Sequence, residues 1–440
     1  MESQGWQHLI QICTMYSWRR NSAPFSPDKV HEDKFLYTPM AGVYLTIFVE
    51  PDKDDKWRRS VLTNDVAFEL VDNESSWKQC LKKLSKAPRM AVDIEANSLY
   101  VYREQICLIQ ISTDTENFII DPLSGIALDA LGALLARPDV EKVFHAADYD
   151  LALFKSLYHW KISSFFDTMW AGRLLGFNKM GLAWFLETLY GIHLDKKHQK
   201  ANWGQRPLTE EKLVYACNDT RYLLRMRDDL GLQLAQKGLE AEAREIFADL
   251  CRSRVFKRSF DPEGFWKLPG ARTLPSQAQA VLRALFIFRD NEAKRRNVPP
   301  FKVMNNQMLM HLAEASAKWN GNTPAKLGAV AGVPEKLLNR LNPELFEIMR
   351  NALKSPPPVY PNRVPQHSSG YWQRHELLMA WRKETANGRG VESDVILSRE
   401  TLEELAEKNP VKDEELENID TLGAWHKKTY GAAILKILKQ

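Results

Sequence analysis

Four acidic residues and one tyrosine have types and spacing suited to chemistry: Asp93 and Glu95, then Asp150, then Tyr215 with Asp219. Asp93 and Glu95 lie two apart in the apolar run Arg89-Met-Ala-Val-Asp-Ile-Glu-Ala. Residues i and i+2 of a strand share a face, so both carboxylates point the same way. Tyr215 and Asp219 lie four apart in a helical pattern and are neighbours on one helix face. Any single Asp or Glu would ordinarily be a solvated or capping residue. Two adjacent carboxylates facing one way from an apolar strand repel each other unless something cationic lies between them. A carboxylate cluster without a competing lysine suits two divalent cations about 4 Å apart, the arrangement that serves metal-assisted phosphodiester hydrolysis. Such hard oxygen donors favour magnesium or manganese over softer metals.

The elements that must position these residues begin at Ala67. Ala67–Val71 reads as a strand, Ser75–Leu84 as a helix opened by Asn73 capping chemistry, and Met90–Glu95 as the strand of the acidic pair. Strands over Ile106–Ser112, Phe118–Ile120 and Lys142–His145 follow, with a helix over Leu128–Leu135 between the last two. A helix starts at Asp148, and largely helical segments run from Asp167 to Leu175, from Leu182 to Tyr190 and from Thr209 into the 240s. The expectation is an α/β domain, a mixed sheet flanked by helices, over residues 63–250.

Residues 251–275 read as a linker, with Pro262, Gly264, Pro269, Gly270 and Pro275. The chain beyond is helical: a first all-α domain over 276–354, a stiff Pro-rich linker over 355–369, and a second all-α domain over 370–440. The two helical domains read as a duplication. The segment from Leu285 aligns without gaps on the segment from Leu378, matching Arg289 with Arg382 and Val298 with Val391 at an offset of 93 residues. Residues 1–62 form an N-terminal extension without a readable role.

At 440 residues with 44% hydrophobic side chains the chain is long enough for two to four domains. A net charge of +4 imposes no global field, so any basic surface must be local. The five cysteines, Cys13, Cys80, Cys107, Cys217 and Cys251, have no paired spacing, which argues against zinc ribbons and disulfide frameworks. The apolar stretch Val43–Val49 is too short to span a bilayer, and Glu2 stands where a signal peptide would be basic. A cytoplasmic protein without membrane attachment is expected.

Asp93-Ile-Glu95, Val143-Phe-His-Ala-Ala-Asp-Tyr-Asp-Leu151 and Tyr215-Ala-Cys-Asn-Asp219 together resemble the three exonuclease motifs of the DEDD superfamily, tyrosine subclass. The stretch Leu194–Thr209 is similar to a segment of ribonuclease D, and the helical repeats resemble HRDC domains. The resemblance covers roughly residues 65 to 440. It implies an α/β ribonuclease H-like exonuclease domain followed by two all-α HRDC-like domains. It implies Asp93, Glu95, Asp150 and Asp219 as ligands of two divalent metal ions, Mg2+ or Mn2+. Tyr215 would orient the attacking water, since a phenol of ordinary pKa near 10 is a poor base at neutral pH. The implied reaction is 3′–5′ hydrolysis of RNA ends to nucleoside 5′-monophosphates, with tRNA precursors or other structured RNA as partner. The chain would act as a monomer with no obligate protein partner.

Two acids lie in the second motif. Asp150 directly precedes Leu151, as the family pattern requires, and Asp148 is well placed as an N-cap. Asn202 departs from relatives that often carry an acid before the tryptophan. His145 reads as structural, and Cys217 as packing. Candidate RNA contacts are Lys196, Lys197, Lys200 and Arg206 around Trp203, and the basic end of the first repeat, Arg289, Lys294, Arg295 and Arg296. The bland reading of each is a solvated charged surface. Competing functions are a DNA exonuclease, disfavoured by the lack of a GxxxxGK[ST] loop, and an RNA-binding module with a vestigial nuclease domain.

Overall fold

The computed structural model describes residues 39–40, 43–44, 66–252, 260–319, 343–361 and 367–440. Expectations for the N-terminal extension lie outside these residues apart from a two-residue strand pair, Pro39–Met40 with Val43–Tyr44. Parts of both linkers and of the first repeat lie outside them too.

The α/β domain is built on β1 (Glu69–Val71), β2 (Arg89–Ala96), β3 (Ile106–Ser112), β4 (Asn117–Ile120), β5 (Glu141–Phe144) and β6 (Phe165–Asp167), in the order β1-β4-β3-β2-β5-β6. β3 runs antiparallel to both β2 and β4, and the outer pairs β1–β4, β2–β5 and β5–β6 are parallel. The sheet is therefore mixed. All seven residues of β3 are buried, as expected of a near-continuous apolar strand at the centre of a sheet covered on both faces. The first covering helix, α1 (Glu74–Leu84), starts where the sequence indicates: the Asn73 side chain accepts from Ser75 N and Ser76 N, both at 3.0 Å.

One sheet face, with Val92, Ile94, Ile109, Ile111, Phe118 and Ile120, packs on a core that includes Trp77, Leu131, Leu151 and Phe154. The opposite face carries the acidic pair. There Asp93 stands across from Gln110, and Glu95 across from Leu108. Leu108 and Ile119 on this face pack against Trp203, Ala216 and Cys217. Burying one face in a general core thus leaves the other to be covered by α6 (Glu210–Asn218), the helix that carries Tyr215.

β6 has no counterpart in the sequence reading, which starts a helix at Asp167. The structure ends a three-residue edge strand there and begins α4 (Thr168–Leu174) one residue later. Phe165-Phe-Asp is too short to display a two-residue period, and its pairing comes from β5.

Among the described residues, the helical elements of the two repeats recur at the offset of 93. α9 (Ser276–Arg296) corresponds to α13 (Tyr371–Arg389), and the short α10 (Pro300–Val303) to α14 (Ser393–Ile396). α11 (Asn306–Ser316) corresponds to α15 (Arg399–Lys408). The turn after the long helix is left-handed in both, at Asn297 (φ 49°) and Gly390 (φ 66°). Arg289 donates to Met304 O at 3.3 Å, and Arg382 donates to Leu397 O at 3.1 Å. The matched arginines fasten each long helix to the residue that ends the short helix after it.

Both repeats touch the α/β domain through this same corner. In the first, Tyr102 donates from its hydroxyl to Asp290 (2.8 Å) and from its amide to Asn297 (3.3 Å), and Lys302 lies 4.3 Å from the Tyr100 ring centre. In the second, Arg389 forks onto both oxygens of Glu242 at 2.8 Å, and Arg173 reaches Glu392 and Asp394. Glu242 has no exposed surface, so its charge is balanced by that one guanidinium and held in a dry contact. Glu245 in the same helix, α8 (Glu240–Arg252), accepts from Trp425 N and His426 N at the start of α17 (Ala424–Leu438).

Candidate active site

The acids converge from separate elements. Asp93 and Glu95 come from the middle of β2, Asp150 from the first turn of α3 (Asp148–Leu153), and Asp219 from the C-terminal end of α6. Asp150 is buried; Asp93, Glu95 and Asp219 keep a partial opening to solvent. Electrostatics binds the set together. Burial pushes the Glu95 carboxyl up to about 10, and the negative charges of Asp93, Asp219 and Asp150 push the same way. Asp93 is pushed up to about 7 by burial. Asp150 is held well above the usual carboxylate range by burial and then by Asp93, and so is Asp219. Among the described residues no lysine, arginine or histidine forms an ion pair with any of the four.

Four carboxylates that repel one another in a cleft fit a divalent cation pair by the chemistry of the donors: hard oxygens, high charge and no competing cation. Among the described residues no three acidic, histidine or cysteine side chains are already gathered at ligating distance.

The two acids of the second motif separate clearly. Asp150 is buried among the other acids, whereas Asp148 is exposed. The expected cap at Asp148 is corrected: Ala147 occupies the N-cap position of α3, no side chain caps it, and Asp148 is the first helical residue.

Tyr215 lies in the field of the cluster. Burial, then the charges of Asp219, Glu95 and Asp93, raise its phenol above the ordinary value. It stays protonated at neutral pH and can hand one hydrogen bond to a bound oxygen, but it is a poor base. Its ring packs between His198 and Trp203, with both ring centres at 5.9 Å.

Two candidate RNA contacts are placed in the interior by burial, and a third is engaged within the fold. Trp203 is 1% exposed, so its ring supports Tyr215 from within the core and is unavailable to a base. Arg206 forks onto Asp121 at 2.6 and 2.8 Å and donates to the carbonyls of Trp203, Gln205 and Cys107. It ties the 194–209 loop to the end of the sheet. Arg289 is buried and donates to Asn306 Oδ1 at 2.7 Å, the interior role already described for its repeat partner. The others remain at the surface: Lys196 and Lys200 are exposed, Lys197 meets Glu211 at 3.3 Å, and Lys294, Arg295 and Arg296 cluster at the end of α9. Arg295 and Arg296 share Glu292, whose carboxyl the Arg295 hydrogen bond first, despite burial, brings down to about 2.

His145 is structural. Its Nε2 lies 2.9 Å from Met180 O and its Nδ1 2.9 Å from Thr168 Oγ1, and burial lowers its pKa to about 4. Both ring nitrogens thus have a polar partner, which holds the imidazole in one orientation. Sequence reasoning missed Asp167, Arg389 and Glu242. Only the capping propensity of Asp-Thr at 167–168 offered a signal for any of them.

This sheet, its acidic cleft and the paired helical modules define a nuclease class, a 3′–5′ exonuclease domain followed by HRDC domains. The family models of those descriptions match residues 68–235, and residues 278–349 and 373–438. Ribonuclease D of Gluconacetobacter diazotrophicus is 32% identical over 60% of this chain and 65% of its own length, a little under two thirds. Ribonuclease D of Acidiphilium cryptum is 26% identical over 84% of this chain and 92% of its own length. The crystal structure of Escherichia coli RNase D, described as an exoribonuclease involved in structured RNA processing, shares the fold with a TM-score of 0.61 at 21% identity. It covers 85% of this chain and 99% of that one. The chain thus carries a 3′–5′ exonuclease domain followed by HRDC domains and is similar to ribonuclease D proteins.

Proposed function

We propose that this chain is a 3′–5′ exoribonuclease that removes nucleoside 5′-monophosphates from RNA ends, with tRNA precursors or similar structured RNA as substrate. The observation that carries this reading is the joint electrostatics of Asp93, Glu95, Asp150, Asp219 and Tyr215: three segments contribute to one acidic cleft without an ion-paired protein cation among the described residues. Asp93, Glu95, Asp150 and Asp219 would hold two divalent ions, Mg2+ or Mn2+. When bound, the ions supply charge neutralisation at the scissile phosphate and a water nucleophile at neutral pH.

The remaining work belongs to the chain. Tyr215 offers its hydroxyl as a hydrogen-bond partner that orients the nucleophile, and Trp203 and Arg206 keep its ring in place. The buried acids exchange protons for cations, so occupancy rises with pH. Lys196, Lys197 and Lys200 beside the cleft, with Lys294, Arg295 and Arg296 on the first HRDC repeat, draw the phosphate backbone in. The second repeat is clamped to the nuclease domain and acts in packing. Buried, unpaired cysteines at Cys80, Cys107 and Cys217 fit a reducing cytoplasm. No described helix is long and apolar enough to cross a membrane.

The test is time-resolved digestion of a tRNA carrying an extended 3′ tail, with matched RNA and DNA oligonucleotides, in Mg2+ or Mn2+. Wild type should shorten the tail one nucleotide at a time and prefer RNA, and Asp93→Asn should be inert. Equal or faster DNA cleavage would overturn the RNA assignment. RNA binding without metal-dependent release would favour a vestigial nuclease domain.

A further inference from the structure

We infer that Asp167, assisted by Thr168, is a positioning residue that presents Asp150 to the acidic cluster; this rests on the function proposed above. The chain leaves β5 at Phe144 and must turn sharply to enter α3, where Asp150 lies. Ala146 makes the turn at φ 60°, a left-handed conformation that an alanine adopts only when its surroundings enforce it. Those surroundings are one carboxylate. Asp167 has no exposed surface and accepts four backbone N–H groups: Ala146 (3.1 Å), Met169 (2.9 Å) and Trp170 (3.1 Å) on Oδ1, and Ala147 (2.9 Å) on Oδ2.

An ordinary helix cap would need only the bonds to Met169 and Trp170. The other two reach across the sheet, where Asp167 is the register partner of Phe144. They fix the residues immediately before the Asp150 helix. Leu151 N in turn bonds Ala147 O at 2.9 Å, so the orientation of the first turn of α3 follows that of Ala147. Thr168 completes the clamp, with its hydroxyl at 3.0 Å from Phe144 O and 2.9 Å from His145 Nδ1. Every residue from Phe144 to Ala147 is thereby held by two consecutive residues that never enter the cleft themselves.

The strained turn supplies a readout that a merely structural role would not move. Four forms are compared: wild type, Asp167→Asn, Ala146→Gly and the double variant. Mn2+ affinity is measured by electron paramagnetic resonance on chelator-treated protein, and kcat and KM on a tailed RNA. Asp167→Asn should weaken Mn2+ binding about tenfold, the scale seen when a partner behind a metal ligand is lost, and lower kcat with KM little changed. Glycine adopts φ 60° without help, so Ala146→Gly/Asp167→Asn should regain most of that affinity. Wild-type Mn2+ affinity and kcat in Asp167→Asn, or no recovery in the double variant, overturns the inference. If Asp167→Asn does not fold, the near-isosteric Thr168→Val probes the same clamp, and unchanged Mn2+ affinity there overturns it equally. A wild type that binds no Mn2+ and releases no nucleotide instead sinks the proposed function.

Discussion

Glu95→Gln should make the metal-free protein more stable while abolishing its activity. Glutamine has the shape and neutrality of the protonated acid, so the variant removes a charge that the cleft resists. In the folded protein Glu95 holds its proton up to about pH 10, whereas its ordinary value is 4.5. The folded state therefore binds more protons than the unfolded state throughout that window, and its stability falls as pH rises from about 4.5. At pH 8 the interval above 4.5 is 8 − 4.5 = 3.5 units, a cost of at most about 5 kcal/mol at about 1.4 kcal/mol per unit. Water reaching the part-open carboxyl and rotation of the side chain toward solvent reduce this, and we expect a gain of about 2 kcal/mol for the variant. Asp93, raised to about 7, adds a penalty of the same sign. Urea unfolding of chelator-treated wild type and variant at pH 4.5, 6 and 8 is the assay. The advantage of Glu95→Gln should be near zero at the lowest pH and grow with each step. Excess Mn2+ should stabilise wild type far more than the variant, by about 2.7 kcal/mol at a hundredfold excess over Kd. An advantage that is absent at pH 8, or that shrinks as pH rises, refutes the reasoning.

The second motif gives a paired test: Asp150→Asn should eliminate nucleotide release, while exposed, uncapping Asp148→Asn should keep turnover and shift stability by less than about 0.5 kcal/mol. Both are read by tail digestion and thermal melting. Tyr215→Phe should leave Mn2+ affinity intact and lower kcat by about a hundredfold, the scale of one lost positioning hydrogen bond; equal kcat in the two proteins removes Tyr215 from the mechanism. Arg389→Ala strands the buried Glu242 and should cost about 3–5 kcal/mol, with Glu242→Gln/Arg389→Met restoring much of it. A loss under about 1 kcal/mol in urea titrations would show the second repeat is not clamped by this pair. Replacing Lys294, Arg295 and Arg296 together by serine should raise KM for a tailed tRNA and flatten its salt dependence, with kcat on a dinucleotide unchanged. An unchanged KM places the RNA elsewhere.

Much of the architecture is local and therefore readable in one dimension. Strand and helix periods locate β2, β3 and α6, Asn73 marks the start of α1, and the 93-residue offset reproduces the repeats down to Arg289 and Arg382. Face alternation in β2 is enough to pair Asp93 with Glu95, and helical spacing is enough to pair Tyr215 with Asp219, because both depend only on backbone geometry. Burial was the quantity that sequence could not supply. A tryptophan or arginine in a basic loop looks the same whether it faces solvent or the interior, and only packing against Cys107, Leu108 and Cys217 turned Trp203 from a base platform into the support of Tyr215. Likewise Asp121 satisfies Arg206 from 85 positions away, and Asp167 holds Ala146 and Ala147 from another strand. These contacts join segments whose separation in the chain carries no periodic trace. Residue type and spacing determine which groups can do the chemistry; the tertiary structure decides which are desolvated, what each one leans on, and hence which acid of a neighbouring pair enters the cleft.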